Sequence, residues 1–128
     1  MPIDRNRLRE DLQALVGERH PITSPNRLRQ TESYLHHRFS EASLTVTTQP
    51  FLALGDTFHN VIGTALPEKR SFQSAPPLIL AAHFDTVEGS PGADDNASAL
   101  AVMLQMARQV KAMTLARPIR FIVFNLEE

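Results

Sequence analysis

The sequence predicts an α/β fold organised around a parallel strand–helix–strand unit, and three observations predict it. Leu78 to Ala82 is a short, continuous apolar run, the pattern of a strand buried on both faces of a mostly parallel sheet. Residues 95–112 carry Ala99, Leu100, Val102, Met103, Leu104, Met106, Ala107 and Val110, a broad apolar face at helical spacing. Pro118 to Phe124 is a second apolar run, β-branched and aromatic, ending at Asn125. Strand, helix and strand in that order form a βαβ unit whose crossover is expected to be right-handed.

The elements before that unit follow from the same rules. Residues 4–16 read as an amphipathic helix, because Leu8, Leu12, Leu15 and Val16 recur at three- and four-residue spacing. Gly17 is placed to end it. Ser24 and Pro25 open a second helix, with Ser as cap and Pro at the first helical position. Leu28, Leu35 and Phe39 mark its buried face, and it runs to Ser40. Residues 43–52 alternate and are rich in β-branched side chains, which favours a strand. Gly55 and Asp56 are turn residues. Phe58 to Leu66 is the returning strand, with Val61 and Ile62 its apolar pair, so the two strands form a hairpin. Pro67 to Pro77 is polar and punctuated by proline, a surface loop.

Composition narrows the class. A chain of 128 residues is one domain at most, and in α/β enzymes more often a share of one. Lys and Arg number 13 against 14 Asp and Glu, a formal net charge of −1. Nucleic-acid binding therefore has no electrostatic support. There are no cysteines, so disulfides and thiolate metal sites are excluded and any metal is held by His, Asp and Glu. Residues 1–7 are charged and lack the apolar core of a secretory signal. No apolar run approaches the length that spans a membrane. The expectation is a soluble, cytoplasmic protein with no membrane partner.

The chemistry-bearing residues fall at the ends of the βαβ unit. His83 and Asp85 follow the first strand, Asp94 and Asp95 stand where the crossover helix begins, and Glu127 and Glu128 follow the second strand. Ligands of an open parallel sheet bind beyond the carboxyl ends of its strands, so three groups far apart in sequence converge by topology. Each alone is weak: a His-x-Asp or a Glu-Glu pair is common, and aspartates at a helix start are ordinarily caps. Together they offer the nitrogen and oxygen ligands that zinc accepts. Two cations roughly 3.5–4 Å apart can share a bridging carboxylate and a bridging water, and a further carboxylate can serve as general base. A carboxylate beside a metal-binding histidine can fix its ring, and a helix N-terminus adds positive potential around Asp95. The other histidines read as solvated or partly buried side chains: His36 and His37 are adjacent on a helix and point apart, and His20 and His59 stand alone.

His83-Phe84-Asp85, Ser90 to Ser98 with its Gly92-Ala93-Asp94-Asp95-Asn96 core, Phe121 to Glu128, and the upstream Asn60-Val61-Ile62-Gly63 resemble the di-zinc aminopeptidase family of secreted bacterial leucyl aminopeptidases and glutaminyl cyclases. The likeness covers residues 20–128. It implies a three-layer sandwich around a mixed, mainly parallel sheet flanked by helices, and removal of N-terminal residues from peptides or amino-acid amides through a metal-activated water. It implies two zinc ions per complete site, with other divalent metals able to substitute. Carried over by position, His83 binds one zinc and Asp85 orients it, Asp95 bridges both, Glu127 is the general base and Glu128 ligates the second zinc. One departure is Ala99, where the family has Gly.

A second departure is that the family supplies another Asp and a distal His from a part that would follow Glu128. Residues 1–128 are thus expected to be the N-terminal part of a single zinc-peptidase-like domain, weak in zinc binding and inactive alone, with the second strand of the unit left as an apolar edge. The alternatives are a non-catalytic remnant or interaction module, and a related di-zinc amidohydrolase, carboxypeptidase or glutaminyl cyclase. The short interval from His83 to Asp95 favours the aminopeptidase branch. Side-chain preference and oligomeric state have no signal in the sequence.

Overall fold

Asp4 starts the first helix. Its Oδ1 accepts the amides of Asn6 and Arg7 at 3.1 and 3.0 Å, two of the donors that a helix start leaves unpaired. Helix α1 spans Arg5–Leu15, and Gly17, at φ +136°, turns the chain away from it. Helix α2 spans Pro25–Glu41 with proline in its first turn. Strands β1 (Thr45–Ala53) and β2 (Asp56–Ala65) form the predicted hairpin. Its two-residue turn places Leu54 and Gly55 at φ 51° and 75°, the double positive φ that matches the strand twist. Strand β3 is Leu78–His83, helix α3 is Ala99–Val110, and strand β4 is Ile119–Phe124. This computed structural model describes residues 2–128; Met1, the first residue of the stretch read for a secretory signal, lies outside them.

The sheet order is β1-β2-β4-β3. Pairs β1–β2 and β2–β4 are antiparallel, and β3–β4 is parallel, with Leu78 opposite Ile119 and His83 opposite Phe124. The fold is therefore α/β with a mixed sheet. Helices α2 and α3 pack on the face carrying Val61, Phe121 and Val123, and join Leu28, Leu35, Phe39, Leu100, Leu104 and Ala107 in one core. Gly63 of β2 lies beneath the Phe39 ring and the Leu44 side chain, and a Cβ there would stand 3.0 and 2.8 Å from them. That close approach lets helix α2 settle on the sheet. Among the described residues no helix is long and apolar enough to cross a membrane.

Four expectations need correction. The strand at Leu78 is not buried on both faces among the described residues: β3 pairs with β4 alone, and Leu78, Ile79 and Ala81 are exposed. The second strand of the βαβ unit is not an apolar edge, because β4 lies between β2 and β3. Continuous apolar character does not tell edge from centre, since that depends on strands far away in sequence. The helix after Asp95 begins only at Ala99, and residues 93–98 form an irregular turn before it. Finally, Ser24 makes no cap to α2; its Oγ is 2.6 Å from the His20 amide and accepts from it instead.

Three helices meet at one buried carboxylate. Asp11 of α1 is fully buried and receives Arg108 of α3 at 2.6 Å, Arg38 of α2 at 3.0 Å and the Tyr34 hydroxyl at 2.7 Å. Removing one member of such a group leaves the others charged and unpaired in a low dielectric. Asp11→Ala is expected to lower unfolding stability by about 3–5 kcal/mol, read as a lower urea midpoint at unchanged slope.

Candidate metal centre

Strands β3 and β4 run parallel and end side by side, so the chain leaves both at the same sheet edge. The Phe84 amide donates to the Phe124 carbonyl at 2.9 Å and carries the pairing one step further. Asp85 comes next, buried. Its Oδ1 accepts the amide of Glu127 at 3.0 Å and its Oδ2 accepts that of Glu128 at 3.1 Å. The turn into the glutamates is fixed from β2 as well: Asn60 Oδ1 accepts the Asn125 amide at 2.9 Å.

Asp95 arrives by another route. Gly92, at φ +58°, opens the turn Ala93–Ser98. A Cβ at that glycine would press on the Thr86 methyl and stand 2.6 Å from Arg19 Nη2, so both conformation and space demand glycine. Within the turn Asp95 (φ −112°, ψ 86°) and Asn96 (φ −139°, ψ 31°) leave helical geometry, and the peptide between them is cis. Asp95 thus stands clear of the α3 N-terminus and turns toward His83.

His83 is where these routes meet. Its Nε2 lies 2.8 Å from Asp95 Oδ1, 3.8 Å from Glu127 Oε2 and 3.9 Å from Glu128 Oε1. One ligand atom each from His83, Glu127 and Glu128 falls within a mutual 4.8 Å. The two glutamates are therefore equally near the ring, and burial distinguishes them: the Glu127 side chain is 60% exposed, that of Glu128 21%. The other ring nitrogen, Nδ1, is 3.1 Å from the Asp85 carbonyl oxygen and 3.5 Å from its Oδ1. Both ring nitrogens face acceptors, so each can donate a proton; when a cation takes Nε2, the proton stays on Nδ1 and donates to the Asp85 carbonyl.

That donor set fits a cation. Every inward atom is an acceptor, and all are nitrogen or carboxylate oxygen, the ligands of zinc, manganese and cobalt. The strain shows at Glu128, whose carboxyl is raised above its ordinary range by desolvation and then by the charge and hydrogen bond of Asp95. No other histidine joins the cluster. His37 lies beside Glu41, His59 beside Glu32, and His20 Nδ1 accepts the amides of Ile22 and Thr23.

Sequence reasoning missed the residues behind the site. Arg19 is completely buried, and nothing in its local sequence marks it. Thr86 and Arg19 exchange two bonds, Arg19 amide to Thr86 Oγ1 at 2.9 Å and Thr86 amide to Arg19 carbonyl at 3.0 Å. Burial pulls the Arg19 guanidinium down to about 10, with Arg27 adding to the fall and Asp85 and Asp95 opposing it; it stays cationic at neutral pH. Glu18 Oε2 accepts the Gly89 amide at 2.6 Å and its Oε1 accepts the Thr23 hydroxyl at 2.7 Å. A cleft of about 460 Å³, with Ile22, Leu54, Val87 and Leu126 in its wall, opens beside Asp85 and Glu128. A larger cavity, about 530 Å³, lies by Ala42, Leu66 and Val110 and touches none of these residues.

The sequence profile of peptidase family M28 matches residues 60–128, more than half of the chain. The chain belongs to peptidase family M28. It is 42% identical over 72 residues to aminopeptidase YwaD of Bacillus subtilis, which covers 56% of this chain and 15% of that protein. The glutaminyl cyclase of Macrostomum lignano superposes with a TM-score of 0.81 at 26% identity, over 96% of this chain and 38% of that one. A Bacteroides vulgatus protein described as a Zn-dependent exopeptidase superposes at 0.73 and 25% identity, over 98% of this chain and 48% of the other. The chain thus spans less than half the length of each of these relatives. Its family is one of peptidases, and its fold is that of the Zn-dependent exopeptidase and the glutaminyl cyclase on which it superposes.

Two predictions follow from this M28 geometry. Asp85→Ala strips the acceptors from two backbone amides, so the Glu127 and Glu128 amides are expected to exchange with deuterium at least tenfold faster, with the β2–β4 amides unchanged. The second concerns pH. The Glu18 carboxyl lies below its ordinary range, held by the Thr23 hydroxyl and then the Gly89 amide. A depressed folded value stabilises the loop above the unfolded value and loses that effect as pH falls through the folded one. The Gly89 amide proton shift is expected to titrate below the ordinary carboxylate range, and Glu18→Gln to abolish the titration.

Proposed function

We propose that this chain is the N-terminal share of a di-zinc exopeptidase domain that releases N-terminal residues from peptides. The observation that carries the reading is the convergence of His83 Nε2 with Asp95, Glu127 and Glu128, within 2.8–3.9 Å, at the carboxyl edge of a βαβ unit in an M28 chain. In this reading His83, Asp95 and Glu128 hold the zinc. Asp95 serves two metal positions in this reading, supported by its contact with His83 and its influence on Glu128. When bound, zinc supplies Lewis-acid polarisation of the scissile carbonyl and a lowered pKa for water. Glu127, the more exposed glutamate, takes the proton from the attacking water at a carboxylate oxygen and returns it to the departing amine. Asp85 keeps the His83 ring in the tautomer that frees Nε2. The cleft beside Glu128 would receive the part of the peptide next to the scissile bond.

A second enzymatic reading is glutaminyl cyclisation, favoured by the fit to the Macrostomum lignano glutaminyl cyclase at TM-score 0.81. The two separate by product: an exopeptidase releases a free amino acid, and a cyclase releases ammonia from an N-terminal glutaminyl peptide. In a non-catalytic interaction module, by contrast, the four side chains would bind no metal.

Roles are tested by substitution in a protein that carries this chain at the full length of its relatives. Glu127→Gln is expected to retain zinc and lose turnover on the order of 10²–10⁴-fold. Glu128→Gln should release one zinc, and Asp95→Ala both, by metal analysis of the purified protein. Two zincs retained in Asp95→Ala would remove Asp95 from the bridging role. Exchanged effects at the two glutamates would reverse their assignment.

A further inference from the structure

Arg19 is a cation placed where cations are costly, with no exposed surface. It lies outside the residues 60–128 that match the family profile. The acceptors of its guanidinium are all backbone carbonyls, and they come from three segments. Nη1 donates to Leu15 and to Gly17, the latter at 2.8 Å, at the end of α1. Nε donates to Phe84 at 2.6 Å. Nη1 and Nη2 donate to Pro91 and Gly92 at 3.4 and 3.2 Å. Phe84 is the residue between His83 and Asp85. Gly92 opens the turn that carries Asp95, and its carbonyl also receives the Ala97 amide at 2.9 Å. A single planar fork thus spans the two arms that bring His83 and Asp95 together. Lysine, with one nitrogen, cannot reproduce this geometry.

We propose that Arg19, held in place by Thr86, is a positioning residue that sets the spacing between the His83–Asp85 arm and the Asp95 arm of the metal centre. Along the chain the two arms are joined by the loop from Thr86 to Pro91, which carries no helix or strand. The short contact of His83 Nε2 with Asp95 therefore depends on something that grips both arms from behind. Arg19 also contributes positive charge on the side of the acidic cluster away from solvent, where counter-ions cannot replace it. The inference rests on the reading of His83, Asp95 and Glu128 as metal ligands.

The test uses a protein that carries this chain at the full length of its relatives, titrated with cobalt(II) as the visible probe and with zinc by calorimetry, after circular dichroism has shown native secondary structure. Arg19→Lys keeps the charge and loses the fork. Cobalt affinity is expected to fall on the order of 10–100-fold, as for other groups that hold metal ligands in place, with a shifted visible band that reports altered ligand geometry. Thr86→Val keeps the volume and the guanidinium but frees the Arg19 backbone, and a smaller loss of the same kind is expected. A purely structural Arg19 would lower the melting temperature and leave affinity and spectrum at wild-type values in the folded variant, which overturns the proposal. Should Arg19→Lys not fold, Thr86→Val decides alone: wild-type affinity in that folded variant also overturns it. A wild-type chain that binds no cobalt would instead overturn the metal reading itself, and this inference with it.

Discussion

The two oxygens of Asp85 accept the amides of Glu127 and Glu128, and the rest of the site depends on that pair of bonds. Parallel strands bring β3 and β4 to the same edge, but they do not fix what happens once the chain has left the sheet. Backbone beyond a strand end has unpaired amides and would ordinarily give them to water. Asp85 takes both, so the two glutamates leave the edge in one direction, toward His83. The same residue presents its carbonyl to His83 Nδ1 and thereby selects which ring nitrogen faces the cluster. A single buried carboxylate thus orders the histidine on one strand and both glutamates on the next.

This arrangement concentrates negative charge. Asp95, Glu127 and Glu128 all approach one imidazole edge, and the Glu128 carboxyl is displaced upward, by desolvation first and then by the Asp95 charge. A folded chain tolerates such a cluster when positive charge is near. The opposing positive charge within the chain comes from behind, from Arg19, whose guanidinium is in turn supported by Asp85 and Asp95. A divalent cation at the mouth would complete the neutralisation. The acidity of the site and the buried arginine are two sides of one electrostatic balance.

Local chemistry was legible in the sequence, and long-range pairing was not. The hairpin, the three helices, the parallel β3–β4 pair and the convergence of His83, Asp95, Glu127 and Glu128 all follow from periodicity and from motifs at strand ends. What escaped was decided elsewhere in the chain. Leu78 to Ala82 reads as a central strand because its side chains are apolar, yet among the described residues β4 alone pairs with it. Asp95 reads as standing on the first turn of the crossover helix because apolar residues follow, yet the turn at Gly92 carries it clear of a helix that begins only at Ala99. Arg19 has the look of a surface residue between Glu18 and His20. Only the fold shows that three loops close over it.

The division of labour along the chain explains why the site can be built from so few elements. Residues 83–128 supply every group that faces the cluster, and one βαβ unit brings them to one edge. The earlier residues supply none of those groups but determine how far apart they stand. Asn60 on β2 holds the Asn125 amide, Glu18 holds the Gly89 amide, and Arg19 holds the carbonyls of Phe84 and Gly92. Each is a polar side chain that satisfies backbone groups in a loop with no regular partner, where an unpaired buried group would cost about 1–3 kcal/mol. The N-terminal helices and the hairpin therefore do more than cover a core. Their contacts tie three loop ends into one frame, which is what a metal centre with short ligand spacings requires.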